Sequence, residues 1–170
     1  MSTPIRLPLR PLTVEAFAPF GEVIEASPER HHFPINAGTT TRFHALAHAE
    51  VSGEGRVVLS IFRGQPFALP LALRVIERHP LGTQAFVPMS GRPWIAVVGA
   101  PGPAPAPSAL TAFLCRGDQG VQYARGTWHH PLIALEAESD FLVVDRVGDG
   151  HNCDEVPLDD GTVWITASDV

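Results

Sequence analysis

Seventeen prolines and fifteen glycines interrupt this chain of 170 residues along its whole length. Proline removes a backbone donor and glycine raises the entropy cost of order, so long helices are disfavoured. The pieces between these breaks are short, apolar and rich in β-branched residues, which reads as many strands joined by tight turns. One short helix is expected early. Thr13 can cap it, Glu15 falls in its first turn and Gly21 ends it. Strands are expected at 57–63, 73–79, 94–98, 110–115, 141–144 and 162–166. Regular spacing of such segments predicts an all-β antiparallel sandwich or barrel occupying 1–170 as one domain. The segment 99–108 alternates four prolines with small residues. It reads as a semi-rigid surface loop between two strands of the same domain rather than a linker.

The side chains available narrow the chemistry. The chain has no lysine; its twelve basic residues are all arginine, against eighteen Asp plus Glu, for a formal charge of -6. Schiff-base chemistry through pyridoxal phosphate or a class I aldolase lysine is excluded, as is a P-loop. The acidic balance gives no footprint for nucleic acid. Two cysteines, Cys115 and Cys153, make no disulfide framework, and a reducing cytoplasm is the expected compartment. No leader pattern opens the sequence and no apolar run is long enough to span a membrane. The partner is therefore expected to be a small molecule.

Two windows concentrate ligand-type residues. In the first, Glu77 and His79 are two apart, so on a strand they point the same way. Pro80 to Thr83 is turn material that can bring Gln84 back beside them. In the second, Gly126-Thr127-Trp128-His129-His130-Pro131 places two adjacent histidines after a small turn. The spacing of Glu77, His79, Gln84 and Gly91, with Gly126 three residues before His129, is similar to the two motifs of cupin barrels. Glu77 stands where a typical cupin has His, and Gln84 where it has Glu. A set of Glu77, His79, Gln84 and His129 would suit a divalent Ni, Zn, Mn or Fe ion, which the spacing does not distinguish.

An anionic ligand would need arginine, protonated histidine or a metal. Arg63 continues the face of Val57, Leu59 and Ile61 to the end of its strand, a candidate for the barrel mouth and for a bidentate carboxylate clamp. Arg146 ends another strand, and Asn36 and Arg42 flank a Gly-Thr-Thr-Thr turn. Cys153 sits in no nucleophile motif and reads as structural. His31 and His32 read as solvated, and His44 and His48 give no metal pattern.

With these residues in place, the sequence resembles the ureidoglycolate lyases of allantoin degradation over nearly its whole length. The resemblance rests on Phe20-Gly21-Glu22-Val23-Ile24, Ile35-Asn36-Ala37-Gly38 and Arg42-Phe43-His44. Its most specific part runs from Glu77 to Met89. Trp128-His129-His130-Pro131-Leu132, Asp145-Arg146 and Asn152-Cys153-Asp154 follow. The 99–108 loop and the tail lie apart from these motifs. The resemblance implies a cupin double-stranded β-helix with one or two short peripheral helices, a homodimer, and a divalent metal, nickel above all. It implies cleavage of ureidoglycolate to glyoxylate and urea. His79 or His129 would serve as base, with Glu77 and His130 in the same catalytic group. Arg63, or else Arg146 or Arg42, would hold the carboxylate, with Asn36 beside it. The alternatives are an amidohydrolase-type enzyme on the same substrate, a metal-dependent isomerase or dioxygenase, and a small-ligand-binding cupin without turnover.

Overall fold

A computed structural model of the chain describes residues 3–167. Strands dominate, in two large sheets and two small ones. The seven-stranded sheet runs Asp154–Pro157, Val75–Arg78, Trp128–His129, Trp94–Gly99, Thr111–Cys115 and Leu9–Pro11, with Ile133–Ala134 also paired to Trp94–Gly99. The five-stranded sheet runs Gly21–Ile24, Gly120–Tyr123, Gln84–Pro88, Ser139–Val147 and Arg56–Gly64.

Core packing shows how they stack. Phe86, Val121, Tyr123, Phe141 and Val143 of the five-stranded sheet meet Trp94, Ala96, Val98 and Phe113 of the seven-stranded sheet in one buried cluster. A second cluster covers the other face of the seven-stranded sheet. There Ile76, Ile95, Val97 and Ala112 pack on Leu7, Val163 and Ile165 of a three-stranded sheet. Trp94–Gly99 is therefore covered on both faces, and each of its six residues is buried, which is why its sequence is continuously apolar rather than alternating. Trp94 anchors the first cluster. Its ring meets Phe141 edge to face, with centroids 5.4 Å apart, and its Nε1–H donates to the Gln119 carbonyl at 2.9 Å. Truncating it to Ala would cost about 3–5 kcal/mol by cavity formation. The two large sheets form a β-sandwich of the cupin-like kind expected, with the three-stranded sheet closing its outer side.

The expected helix is present but is one turn long, Val14–Phe17. Thr13 caps it by accepting the Ala16 N–H, and Phe17 is fully buried among Phe20, Phe113 and Tyr123. Two 3-10 turns, Asn36–Gly38 and Pro107–Ala109, are the other helical pieces among the described residues.

Three expectations need correction. The strand expected over 73–79 is shorter, Val75–Arg78, and Leu73 and Arg74 lead into it from Leu71–Ala72, a strand of a different sheet. The apolar face of Val57, Leu59 and Ile61 is turned outward, because Phe62 on the opposite face packs inward on Phe86. The loop over 99–108 does join two strands of one sheet, Trp94–Gly99 and Thr111–Cys115, but it does not lie apart from the motifs. The Gly102 carbonyl accepts from Arg78 Nη1 at 2.6 Å and from Trp128 Nε1 at 3.0 Å, which ties the loop to both windows.

Candidate active site

The two windows meet between the large sheets. Glu77 and His129 are direct antiparallel partners, and His129 is also opposite Val98, a residue of the inter-sheet core. Side chains opposite one another share a face, so Glu77 and His129 point toward the five-stranded sheet. The turn of the second window is bonded to the first. The Gly126 N–H donates to the His79 carbonyl at 3.0 Å. Gly126 has φ +76, a left-handed conformation that glycine adopts without a side-chain penalty. From the facing sheet come Gln84 and Tyr123, partners on adjacent strands.

The imidazoles are oriented by the backbone. His79 Nδ1 lies 2.7 Å from the Asn152 carbonyl, and His129 Nδ1 lies 3.0 Å from the Thr127 carbonyl. A carbonyl only accepts, so each Nδ1 carries the proton and each neutral ring presents an unprotonated Nε2. Both Nε2 atoms point at Glu77. Its Oε1 is 3.5 Å from His129 Nε2 and 3.9 Å from His79 Nε2, too far for well-formed hydrogen bonds. Both Nε2 atoms, and Gln84 Oε1, are buried without a hydrogen-bond partner. His129 is 1% exposed and Gln84 6%.

The site thus gathers acceptors that lack donors. Such an arrangement is stabilised by a proton, a cation or a ligand's N–H and O–H groups. Once its Nε2 carries a proton, the His129 ring holds the Glu77 carboxyl below the usual carboxylate range by hydrogen bonding, against burial, which pushes the other way. Glu77, His79 and His129 each offer one ligand atom, all within 4.8 Å of one another. With both Nδ1–H groups held by backbone carbonyls, the donor set fits a divalent metal. The site opens into a cleft of about 520 Å³ lined by Glu77, Gln84, Phe62, Arg63, Phe86 and Leu132, among others.

The other predicted residues are dispersed. Arg63 borders the cleft, but its side chain continues the outward face of Val57, Leu59 and Ile61, where its Nε and Nη2 donate to Asp140 at 2.7 and 2.9 Å. Arg146 is on a different surface. Its guanidinium is held by the carbonyls of Ser52, Gly148 and Asp149, and it does not line the cleft. Arg42 and Asn36 are exposed on and beside the separate His32–Ile35/Thr40–Phe43 hairpin and are also outside the cleft lining. His130 follows His129 out of the strand. Its Nδ1 is 2.8 Å from the Pro131 carbonyl, and burial lowers its pKa.

Three contributors carry no signal in the sequence taken residue by residue. Tyr123 stacks on His129, Asp145 bonds Gln84, and Asn152 holds His79. Cys153, read as structural, has its Sγ 3.9 Å from Glu77 Oε2. Asn152 and Cys153 come from a segment far along the chain, and only strand pairing between Asp154–Pro157 and Val75–Arg78 brings them to the site.

Fold and site together define a cupin-type β-sandwich with a carboxylate–imidazole centre between its sheets. The family profile described as ureidoglycolate lyase matches residues 4–166. A ureidoglycolate lyase of Burkholderia cepacia is 54% identical over 158 residues, covering 92% of this chain and 88% of the relative. One of Rhizobium etli strain CIAT 652 is 57% identical over 155 residues, covering 88% and 89%. One of Azotobacter vinelandii is 52% identical over 150 residues, covering 88% and 90%. The chain belongs to the ureidoglycolate lyase family.

Proposed function

We propose that this protein is a lyase that cleaves ureidoglycolate into glyoxylate and urea, a step in allantoin and purine degradation. The observation that carries the reading is the set of buried, unpartnered acceptors of His79, Gln84 and His129, with Glu77 grouped with the two histidines and lining one cleft with Gln84. The substrate carries a carboxylate, a hydroxyl and a ureido nitrogen on one carbon, and so brings the donors and the negative charge that this cleft lacks partners for.

Cleavage requires removal of the hydroxyl proton as the C–O bond becomes a carbonyl. The C–N bond breaks, its electron pair goes to the ureido nitrogen, and that nitrogen takes a proton. His129 Nε2, unprotonated and buried, accepts the hydroxyl proton, with His79 as the alternative base. Glu77 stabilises the imidazolium so formed, which then supplies the proton to departing urea. His130 stands beside this group as a second proton carrier. Arg63 stands at the cleft rim and is the first candidate for the substrate carboxylate, which its guanidinium would reach by turning inward from its exposed pair with Asp140. Asn36, Arg42 and Arg146, which do not line the cleft, are the weaker candidates for substrate contact.

Glu77, His79 and His129 would hold a divalent metal, with the Gln84 amide oxygen as a fourth donor; nickel is proposed first, and zinc or manganese as alternatives. When bound, such an ion would supply polarisation of the substrate hydroxyl.

The reading includes a cytoplasmic homodimer. The edge strand Arg56–Gly64 supports it: Leu59 is 66% exposed and Ile61 52%, an apolar edge of the kind that pairs with another chain. Among the described residues no helix is long and apolar enough to cross a membrane. Sedimentation gives the oligomeric state, and a monomer would overturn that part. The activity is tested with metal-stripped protein, ureidoglycolate, and Ni, Mn or Zn added back. Urea and glyoxylate in equal amounts are expected, and ammonia as the primary product overturns the lyase reading.

A further inference from the structure

The Gln84 amide is locked in one orientation by its neighbour. Gln84 begins its strand one step beyond the last pair, Ala85 with Val144, which places it beside Asp145. Gln84 Nε2 lies 3.2 Å from Asp145 Oδ2. A carboxylate offers only acceptors, so the amide must present its NH₂ to Asp145 and its oxygen the other way. That oxygen is buried and has no partner, and Gln84 lines the same cleft as Glu77. Without Asp145, a half-turn of the amide would place NH₂ in the cleft instead, converting an acceptor into a donor.

We propose that Asp145 is a positioning residue that fixes Gln84 with its amide oxygen toward the site, making Gln84 an obligate acceptor for an electropositive guest. The guest is either a divalent cation shared with Glu77, His79 and His129 or an N–H of the substrate's ureido group. The proposal rests on the lyase reading for the second guest and stands without it for the first.

A double-mutant cycle tests it. Asp145→Asn keeps shape but lets the neighbouring amides swap ends. Gln84→Glu alone sets two carboxylates against each other. In Gln84→Glu/Asp145→Asn the Asn N–H can donate to one Glu oxygen, leaving the other turned toward the site. Two quantities are read on each protein: the dissociation constant for Mn²⁺, by titration of metal-stripped protein without substrate, and KM and kcat for ureidoglycolate. Asp145→Asn is expected to weaken Mn²⁺ binding or raise KM by about tenfold or more, with an unchanged melting temperature. The double variant is expected to recover most of that loss. A change in Mn²⁺ affinity assigns the cation as guest; a change in KM with Mn²⁺ affinity unchanged assigns the ureido group. The proposal is overturned if Asp145→Asn changes neither quantity, or if the double variant is no better than the worse single one. Wild-type protein that releases no urea refutes the lyase reading separately; the Mn²⁺ arm of the cycle then decides the positioning role alone.

Discussion

Tyr123 lies flat on the His129 imidazole, with ring centroids 4.2 Å apart and planes 10° from parallel. The two residues come from opposite sheets, so this stack is a contact across the sandwich at the point where core becomes site. Phe17 and Phe86 pack on Tyr123 in turn, and the Thr127 carbonyl holds His129 from below. The imidazole is fixed both in its plane and along its edge.

That stack predicts a positioning effect without a need for the phenol oxygen. Tyr123→Phe keeps the ring and should retain kcat within about threefold. Tyr123→Leu removes a ring pair worth about 0.5–1.5 kcal/mol and should lower kcat at least tenfold by freeing the imidazole. Steady-state kinetics on both variants decide it, and equal losses would mean that the hydroxyl rather than the stack matters.

Glu77→Gln should separate activity from stability. The wild-type carboxylate faces two imidazole lone pairs with no hydrogen bond to either, whereas an amide can donate one. Urea release should fall by about two orders of magnitude or more, the scale of losing a positioned acid–base group. The melting temperature should hold or rise, as expected when a functional site is relieved of mutual repulsion. A variant with near-normal turnover would remove Glu77 from the mechanism.

Arg63→Met should raise KM for ureidoglycolate by about tenfold while leaving the fold intact. Its ion pair with Asp140 is largely exposed, with the arginine side chain 63% accessible, and solvent-screened pairs of this kind add little to stability. Thermal melting should therefore barely change. An unaltered KM would move the carboxylate contact to another cation.

Acid stability should report the Arg78–Asp154 pair. Arg78 Nε donates to Asp154 at 2.8 Å, and Arg78 also lies over the Trp128 ring at 4.7 Å. The Asp154 pKa is lowered from 3.8, first by this hydrogen bond and then by the one from His151. A depressed carboxylate contributes stability that is fully present above its unfolded pKa. That stability is lost as pH falls through the lower folded value. Asp154→Asn should thus be less stable than wild type at neutral pH, with the gap closing below about pH 3.8. Denaturant melts across pH 2 to 7 would show a constant gap if the pair contributed nothing.

Much of this was legible in the chain. The Gly/Pro punctuation predicts short strands, and the apolar run at 94–98 predicts one of them. Thr13 marks the start of the one helix. Glu77 and His79 announce a shared strand face by being two apart, and Gly126 before His129 announces the turn that delivers the second histidine. Arg63 was legible as a strand-end cation, but not the direction of its face. Alternation separates two faces and does not say which is covered.

The sequence by itself determined the local order: where the chain breaks, which segments extend, and which residue types stand at ligand spacing. Tertiary structure decided which of those residues share a site. Gln84 reaches the centre with Asp145 behind it, His79 is held by Asn152, and His129 by Tyr123, partners 61, 73 and 6 positions away. It also decided that Arg146 is held by carbonyls outside the cleft and that Arg63 borders it with its side chain paired to Asp140. The reason is physical. Strand pairing and sheet stacking bring together residues distant in sequence. The direction of a hydrogen bond, which sets a tautomer or an amide orientation, exists only once both partners are in place.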